Sequence, residues 1–404
     1  MALAVSCQIL DDSFFLGPQR GTRYGPYGRD STGSGIPAPP APDTVLLFTA
    51  LEFPPGYDWR QDSAYYSQEG QVVLYRDFEP VAHADIGPSH KVSAEADMHH
   101  IVDGHLFTEY SGQGQTVIKM DGAEILRYEG REMLQGLLIR NGSIVTLGRD
   151  RNGGGFRCRV DGKVVFGRDS ASVKGGMRDP SCGEGGALYM ERGILCFAYS
   201  DRRGCHIVED WKDSLLAAGA GPFPDARRRG GKYYFISCAG GRTSLYADDR
   251  VSDISEGGRI VWTDARIRFL DGKCAVTGQA ADHITGKSGA AVCREGLRTE
   301  WLASGGGRQF IYDNGRGLYV VGAGTDGRIG IRPASGSARA PDGSYYFLDA
   351  ACGFLSGSTQ YLALTPTGRE GYPFIWEGGE VHELGINGLL TCVRTALVFP
   401  GDGS

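Results

Sequence analysis

A chain of 404 residues with 22% charged and 41% hydrophobic side chains has the composition of an ordinary globular protein, except for its 63 glycines, roughly twice the usual share. The net charge of −6 gives no support to a nucleic-acid partner, whose phosphates call for a basic surface. No apolar run approaches the length of a membrane-spanning helix.

Residues 1–42 are rich in Gly, Pro, Ser and Arg and end in Ile36-Pro37-Ala38-Pro39-Pro40-Ala41-Pro42. Such a stretch buries little apolar surface, so it is expected to be a flexible arm or tether ahead of one folded unit at 43–404. Near its start, Leu3-Ala4-Val5-Ser6-Cys7 is patterned like the end of a bacterial lipoprotein signal, which would make Cys7 a lipid anchor. The basic start and longer apolar core of such a signal are not seen before Cys7, so a chance match stays open beside the anchor.

From Asp43 onward a four-run pattern recurs. A short apolar run meets a tight turn and a second β-rich run follows; then come a longer loop, a third run, another tight turn and a fourth run. The clearest unit has Asn141-Gly142 between its first two runs and Asp161-Gly162 between its last two. Asp-Gly and Asn-Gly are strong hairpin signals because both central residues accept positive φ. First turns of this kind are read at Asp103, Asn141, Arg192, Gly230, Asp271, Asn314 and Asp342, mostly at the roughly 40–50-residue spacing of propeller blades. The interval from Asn314 to Asp342 is too short for a blade. Residues 211–218 are the best helix candidate. The expected fold is all-β: a single β-propeller of about seven four-stranded blades, within a range of six to eight. Residues 389–399 are expected to pair beside the early runs at 45–49 and 72–76 and seal the ring, since an open array would leave bare strand edges.

Ten cysteines lack zinc-type spacing. Those within strand-like runs (Cys158, Cys196, Cys238, Cys274 and Cys293) are read as small buried hydrophobes.

The segments Phe53-Pro54-Pro55-Gly56-Tyr57-Asp58-Trp59, Ala96-Asp97-Met98-His99-His100-Ile101-Val102-Asp103-Gly104-His105-Leu106 and Tyr361-Leu362-Ala363-Leu364-Thr365-Pro366 resemble uncharacterised β-propeller proteins of gut Bacteroidetes. The resemblance spans residues from about 43 to the end. It implies an exported protein, often a lipoprotein, and brings no catalytic residues with it.

Four-stranded blades place first-to-second and third-to-fourth turns on one face, and second-to-third loops and blade-to-blade crossings on the other. Here the second class is longer and more polar, so the binding face is expected there. In the crossing before the first full blade, Asp97 and His99 share one side of a strand, but no third ligand is specified, and neither a metal nor a cofactor is expected. Asp225-Ala226-Arg227 and Asp264-Ala265-Arg266 recur one blade period apart and can either line the channel mouth or tie blades together. Carboxylates recur in the second-to-third loops, Asp150 and Asp201 in closely matching contexts. They suit either glycoside hydrolysis or plain turn formation. Trp262 and Tyr199 are candidate stacking surfaces. The leading expectation is an exported binding or scaffold module for a glycan, peptide or protein, touching a membrane only through Cys7. A carbohydrate-active hydrolase or lyase is the alternative.

Overall fold

Several strands are buried along their whole length rather than at alternate positions. In the strand Ile194–Asp201 the run from Leu195 to Tyr199 is fully buried, and the next strand, Gly204–Glu209, is buried from its first residue to Val208. A sheet with this pattern must be covered on both faces. The fourth strands are the opposite: Ala123–Glu129, Lys163–Arg168 and Arg250–Asp253 are largely exposed. Sheets stacked face to face around an axis, first strand inward and fourth strand outward, satisfy both observations.

The computed structural model describes residues 43–60, 70–86, 99–112, 114–151, 154–176, 185–218, 225–247, 250–294, 298–304, 309–313, 318–323, 329–333, 338–339, 343–346, 352–356, 358–367 and 371–398. They form eight antiparallel sheets in a ring, a β-propeller. The first to seventh blades occupy residues 99–129, 132–168, 172–218, 226–253, 260–301, 309–339 and 345–383. The eighth is the closing blade. Its inner strand, Gly388–Val398, pairs with Asp43–Glu52, which pairs in turn with Gly70–Arg76 and then Glu79–Ile86. Phe48 lies opposite Val393 on one side and Tyr75 on the other, so the expected seal joins the two ends of the folded chain.

Eight blades stand at the upper end of the expected range. The closing blade draws its inner and second strands from opposite ends of the chain, so it has no first turn to count. Two local expectations are corrected. Asp342 itself lies outside the described residues, and the first turn of the seventh blade falls later: the inner strand pieces Tyr345–Tyr346 and Gly353–Ser356 both pair with Thr359–Pro366, with Ser356 opposite Thr359, which restores the ordinary spacing. Residues 212–218 are not helical either; Lys212–Ala218 is the outer strand of the third blade, entered through Asp210 and Trp211 at φ 41° and 72°.

The turn reading holds at five of the expected positions, and Asn314 lies outside the described residues. Asp103-Gly104, Asn141-Gly142, Arg192-Gly193, Gly230-Gly231 and Asp271-Gly272 all have positive φ at both positions. A second device recurs in four consecutive blades, the closing one included. The Asp that opens each third-to-fourth turn accepts a backbone N–H from the second strand: Asp77 from Leu46, Asp121 from Leu106, Asp161 from Ile144 and Asp210 from Leu195, at 2.8–3.1 Å. Each of these blades carries a β-bulge in its outer hairpin. The same Asp donates its own N–H to the carbonyl of that second-strand residue, so its carboxylate satisfies the N–H at the end of the second-to-third ladder, where the third strand turns away.

Three inner strands are split. In the third blade, Ser172–Val173 and Tyr189–Glu191 pair with opposite ends of Ile194–Asp201. The end of the intervening segment docks on the second blade's inner strand, Glu132–Arg140: Leu137 N–H donates to Gly185 O, Ala187 N–H donates to Gln135 O, and Gly136 bridges Gly186. A Cβ on Gly136 would come within 2.8 Å of the Leu188 backbone N, so only glycine permits this approach. The free edge of Glu132–Arg140 faces the axis, and residues 185–187 cover it from Gln135 to Leu137.

Candidate functional site

The expected site residues do not form one cluster. His99 lies at the ring closure, where its Nε2 is 2.8 Å from Thr391 Oγ1. Thr391 Oγ1 is itself 2.8 Å from Thr49 Oγ1, and all three residues are buried. Asp97 lies outside the described residues. Asp150 ends the strand Ser143–Asp150 beside the second-to-third loop, with its backbone N–H donating to Gly155 O.

Asp201 and Tyr199 are brought together in the third blade. Asp201 Oδ1 accepts the Arg203 N–H at 2.8 Å and lies 3.2 Å from His206 Nε2. His206 Nδ1 lies 2.9 Å from Asp213 Oδ1, and the Tyr199 ring stacks on the imidazole at 4.5 Å. Tyr199 O–H donates to Asp213 Oδ2 at 2.6 Å, and Arg168 of the preceding blade reaches the same oxygen at 2.7 Å. Burial and the Asp213 bond push the Tyr199 hydroxyl up to about 12. Burial also acts to raise Asp213, but its hydrogen bonds from Tyr199, Arg168 and His206 outweigh that and hold its carboxyl below the usual range. Tyr199 is thus a buried member of a closed polar network rather than an open stacking surface. Trp262 is buried too, its indole N–H donating to Ile254 O at 2.9 Å.

The two Asp–Arg pairs occupy corresponding places on the inner strands of the fourth and fifth blades. Asp225 is 3% exposed. Its Oδ1 accepts the Ala226 N–H at 2.9 Å and lies 3.5 Å from Arg227 Nε, while its Oδ2 accepts the Ile267 N–H of the next blade at 2.8 Å. Arg227 stacks over the Tyr189 ring. Asp264 is more open, and its Oδ1 is 3.0 Å from Arg266 Nη2. One residue that sequence reasoning missed joins them. Lys174, at the start of the third-blade insertion, is half-buried, and its charge is within electrostatic reach of Asp225 and Arg266.

A cleft of about 320 Å³ opens at the crossing from the fourth blade to the fifth. Asp282 ends the strand Lys273–Asp282, and Arg259 from the crossing holds it with Nε at 3.1 Å and Nη2 at 2.6 Å. The N–H groups of Ile284 and Thr285 also donate to Asp282, so the Arg259 bond, with their help, holds this carboxyl far below its ordinary range. Glu256 sits in the left-handed region at φ 51° and accepts the Thr299 N–H at 3.0 Å. Trp301 and Arg298 complete the wall. Arg298 is exposed and has no ion-pair partner among the described residues. Lys287 lies over the Trp301 ring at 5.2 Å. None of these residues stands in a motif; they come from three separate stretches of chain, 256–260, 282–287 and 298–301.

No protein-family model and no curated protein matches the chain. Solved structures do. It is similar to dihydro-heme d1 dehydrogenase NirN in complex with DHE, at 11% identity and TM-score 0.48, over 86% of this chain and 74% of that one. Apo AztD from Citrobacter koseri matches at 9% identity and TM-score 0.45, over 88% and 99%. The Bacteroides β-propeller proteins among the neighbours include a putative 6-phosphogluconolactonase from Bacteroides uniformis, at 10% identity and TM-score 0.36, over 87% and 99%. At such identities the likeness concerns the fold and reaches no ligand or reaction.

Among the described residues no group of three His, Cys, Asp or Glu side chains is placed to hold a metal ion, and no helix is long and apolar enough to cross a membrane.

Proposed function

We propose that this propeller is a binding module that takes a glycan, peptide or protein on the face built from its second-to-third loops and blade-to-blade crossings. The cleft at the fourth-to-fifth crossing is the seat. Its Trp301–Arg298 wall carries this reading. A half-buried indole offers an apolar face, and a guanidinium with no ion-pair partner among the described residues offers a planar fork of donors for a sugar oxygen or a carboxylate. Opposite them Arg259 and Asp282 hold one another in place and form a fixed polar edge.

The hydrolase alternative needs a carboxyl that is protonated at working pH beside an ionised one. Asp282 and Asp201 are instead both held below their usual range, which supports recognition over acid catalysis. Export from the cytoplasm, with or without lipid on Cys7, is part of the same proposal and is supported by the resemblance and by the Leu3–Cys7 pattern. The test is binding of the full chain to glycan and peptide arrays, followed by a product assay on every hit. Saturable binding without turnover, weakened by Trp301→Ala and Arg298→Ala, is expected. Release of product from a bound glycan, or binding untouched by both substitutions, overturns the reading.

A further inference from the structure

The cleft at the fourth-to-fifth crossing is unevenly charged. Its carboxylates, Asp282 and Glu256, are engaged with the protein. Asp282 Oδ1 accepts the Ile284 and Thr285 N–H groups, and its Oδ2 takes both Arg259 bonds. Glu256 Oε1 accepts the Thr299 N–H, while its Oε2 lies 3.9 Å from Arg259 Nη1, beyond hydrogen-bonding distance. Arg298 and Lys287 are not engaged in this way. Arg298 lines the cleft, and Lys287 stands over the Trp301 ring, its backbone carbonyl accepting the Asp282 N–H at 2.8 Å. Both side chains are exposed, and neither makes a hydrogen bond or ion pair among the described residues. Glu300, next to Trp301 in sequence, falls on the other side of the strand Thr299–Trp301 and lies 3.6 Å from Arg294. Arg259, Arg298 and Lys287 thus stand against only Asp282 and Glu256, in a chain whose net charge is −6.

Taking this cleft as the binding seat, on which the inference rests, we propose that its ligand is an acidic glycan held through the carboxylate of a uronate residue. The carboxylate pairs with Arg298, whose planar fork matches two oxygens, and Lys287 adds a point charge from over the Trp301 ring. The C–H face of the sugar lies on the indole. Glu256 Oε2, which makes no hydrogen bond among the described residues, accepts a sugar hydroxyl. A uronate brings the anion, the hydroxyl and the apolar face on one ring. A neutral sugar leaves both cations unmatched, and an acidic peptide brings the anion without the flat face.

The experiment is calorimetric titration of the full chain with trigalacturonate and trimannuronate, each beside its methyl ester, and with triglutamate as the acidic peptide. At least one sugar acid should bind saturably and roughly tenfold or more tighter than its ester. That margin should narrow as salt is raised. Arg298→Gln should abolish it, and Lys287→Gln should reduce it by less; both side chains are exposed, so the fold is retained. Trp301→Ala should weaken every sugar that binds. An ester that binds as well as its acid, both weakened by Trp301→Ala, overturns the acidic ligand and leaves the cleft as the seat. Acid binding untouched by Trp301→Ala and by Arg298→Gln overturns the seat as well. Triglutamate binding tighter than either sugar acid, no binding of either acid, or a margin that survives Arg298→Gln combined with Lys287→Gln also overturns the proposal.

Discussion

Between the first and second blades, Glu132 and Arg159 bury their charges against one another at 2.7 Å, and Arg159 also covers the Tyr128 ring and donates to Gly162 O. Glu109 of the same junction accepts the Leu134 N–H at 2.7 Å and lies 3.6 Å from Arg151. At the junctions of the third, fourth and fifth blades the same residue types are assembled in Asp225–Arg227 and Asp264–Arg266. The first arrangement is buried and paired, whereas in the second the Asp264–Arg266 pair stays open to solvent. Charged residues on a propeller's inner strands are thus not evidence of a site by type. Burial together with internal pairing is what marks a clamp.

The comparison breaks most visibly at Arg159. Arg159→Met leaves the Glu132 carboxylate, 5% exposed in its side chain, without its cation. A loss of about 3–5 kcal/mol is expected, read as a lower denaturation midpoint in urea. A loss below about 1 kcal/mol would mean that this junction is no more closed than the other. Next come the two aspartates of the open junction. Asp225→Ala removes the acceptor of two buried N–H groups and should cost roughly 1–3 kcal/mol, whereas Asp264→Ala, at an exposed pair, should change stability by less than about 0.5 kcal/mol. Equal effects would show that the two Asp–Arg pairs do the same work.

The smallest effect tests a surface pair against both junctions. His105 Nδ1 is 2.6 Å from Asp121 Oδ2. The Asp121 bond raises the His105 pKa; burial acts to raise Asp121, but its bonds from His105 and the Leu106 N–H pull it below the usual range. The histidine's contribution is fully present below its unfolded pKa of about 6.5 and fades as pH climbs through the raised value. The aspartate's contribution is present above about pH 4 and fades on acidification. His105→Gln should therefore cost stability mainly between these limits, by roughly 0.2–1 kcal/mol for so exposed a pair, in unfolding curves taken across pH. A pH-independent cost would assign the contact to packing.

How far the chain could be read before folding differs from region to region. The hairpins at Asp103, Asn141, Arg192, Gly230 and Asp271 were legible because a two-residue turn that ends in glycine, Asp-Gly and Asn-Gly above all, states its backbone conformation locally. Residues 211–218 were misread because the Asp210–Trp211 turn carries no glycine and the strand behind it ends in Leu215-Leu216-Ala217-Ala218 without the apolar–polar alternation of a half-buried strand. At the candidate site the Asp225 and Asp264 repeat was visible as spacing, but not that one is buried in a clamp and the other open. Arg298, Trp301 and Glu256 carried no signal, because nothing in their neighbourhoods anticipates a shared cleft.

By itself the sequence determined the local alphabet of this protein: β-rich runs, their turns, and a repeat long enough for four strands. These depend on φ preferences and side-chain alternation, which act over a few residues. The tertiary structure decided the number of blades, since the eighth draws its strands from both ends of the folded chain. It also decided where the third-blade insertion docks and which charges remain unmatched. Those outcomes depend on contacts between residues tens to hundreds of positions apart, and no local preference encodes such distances.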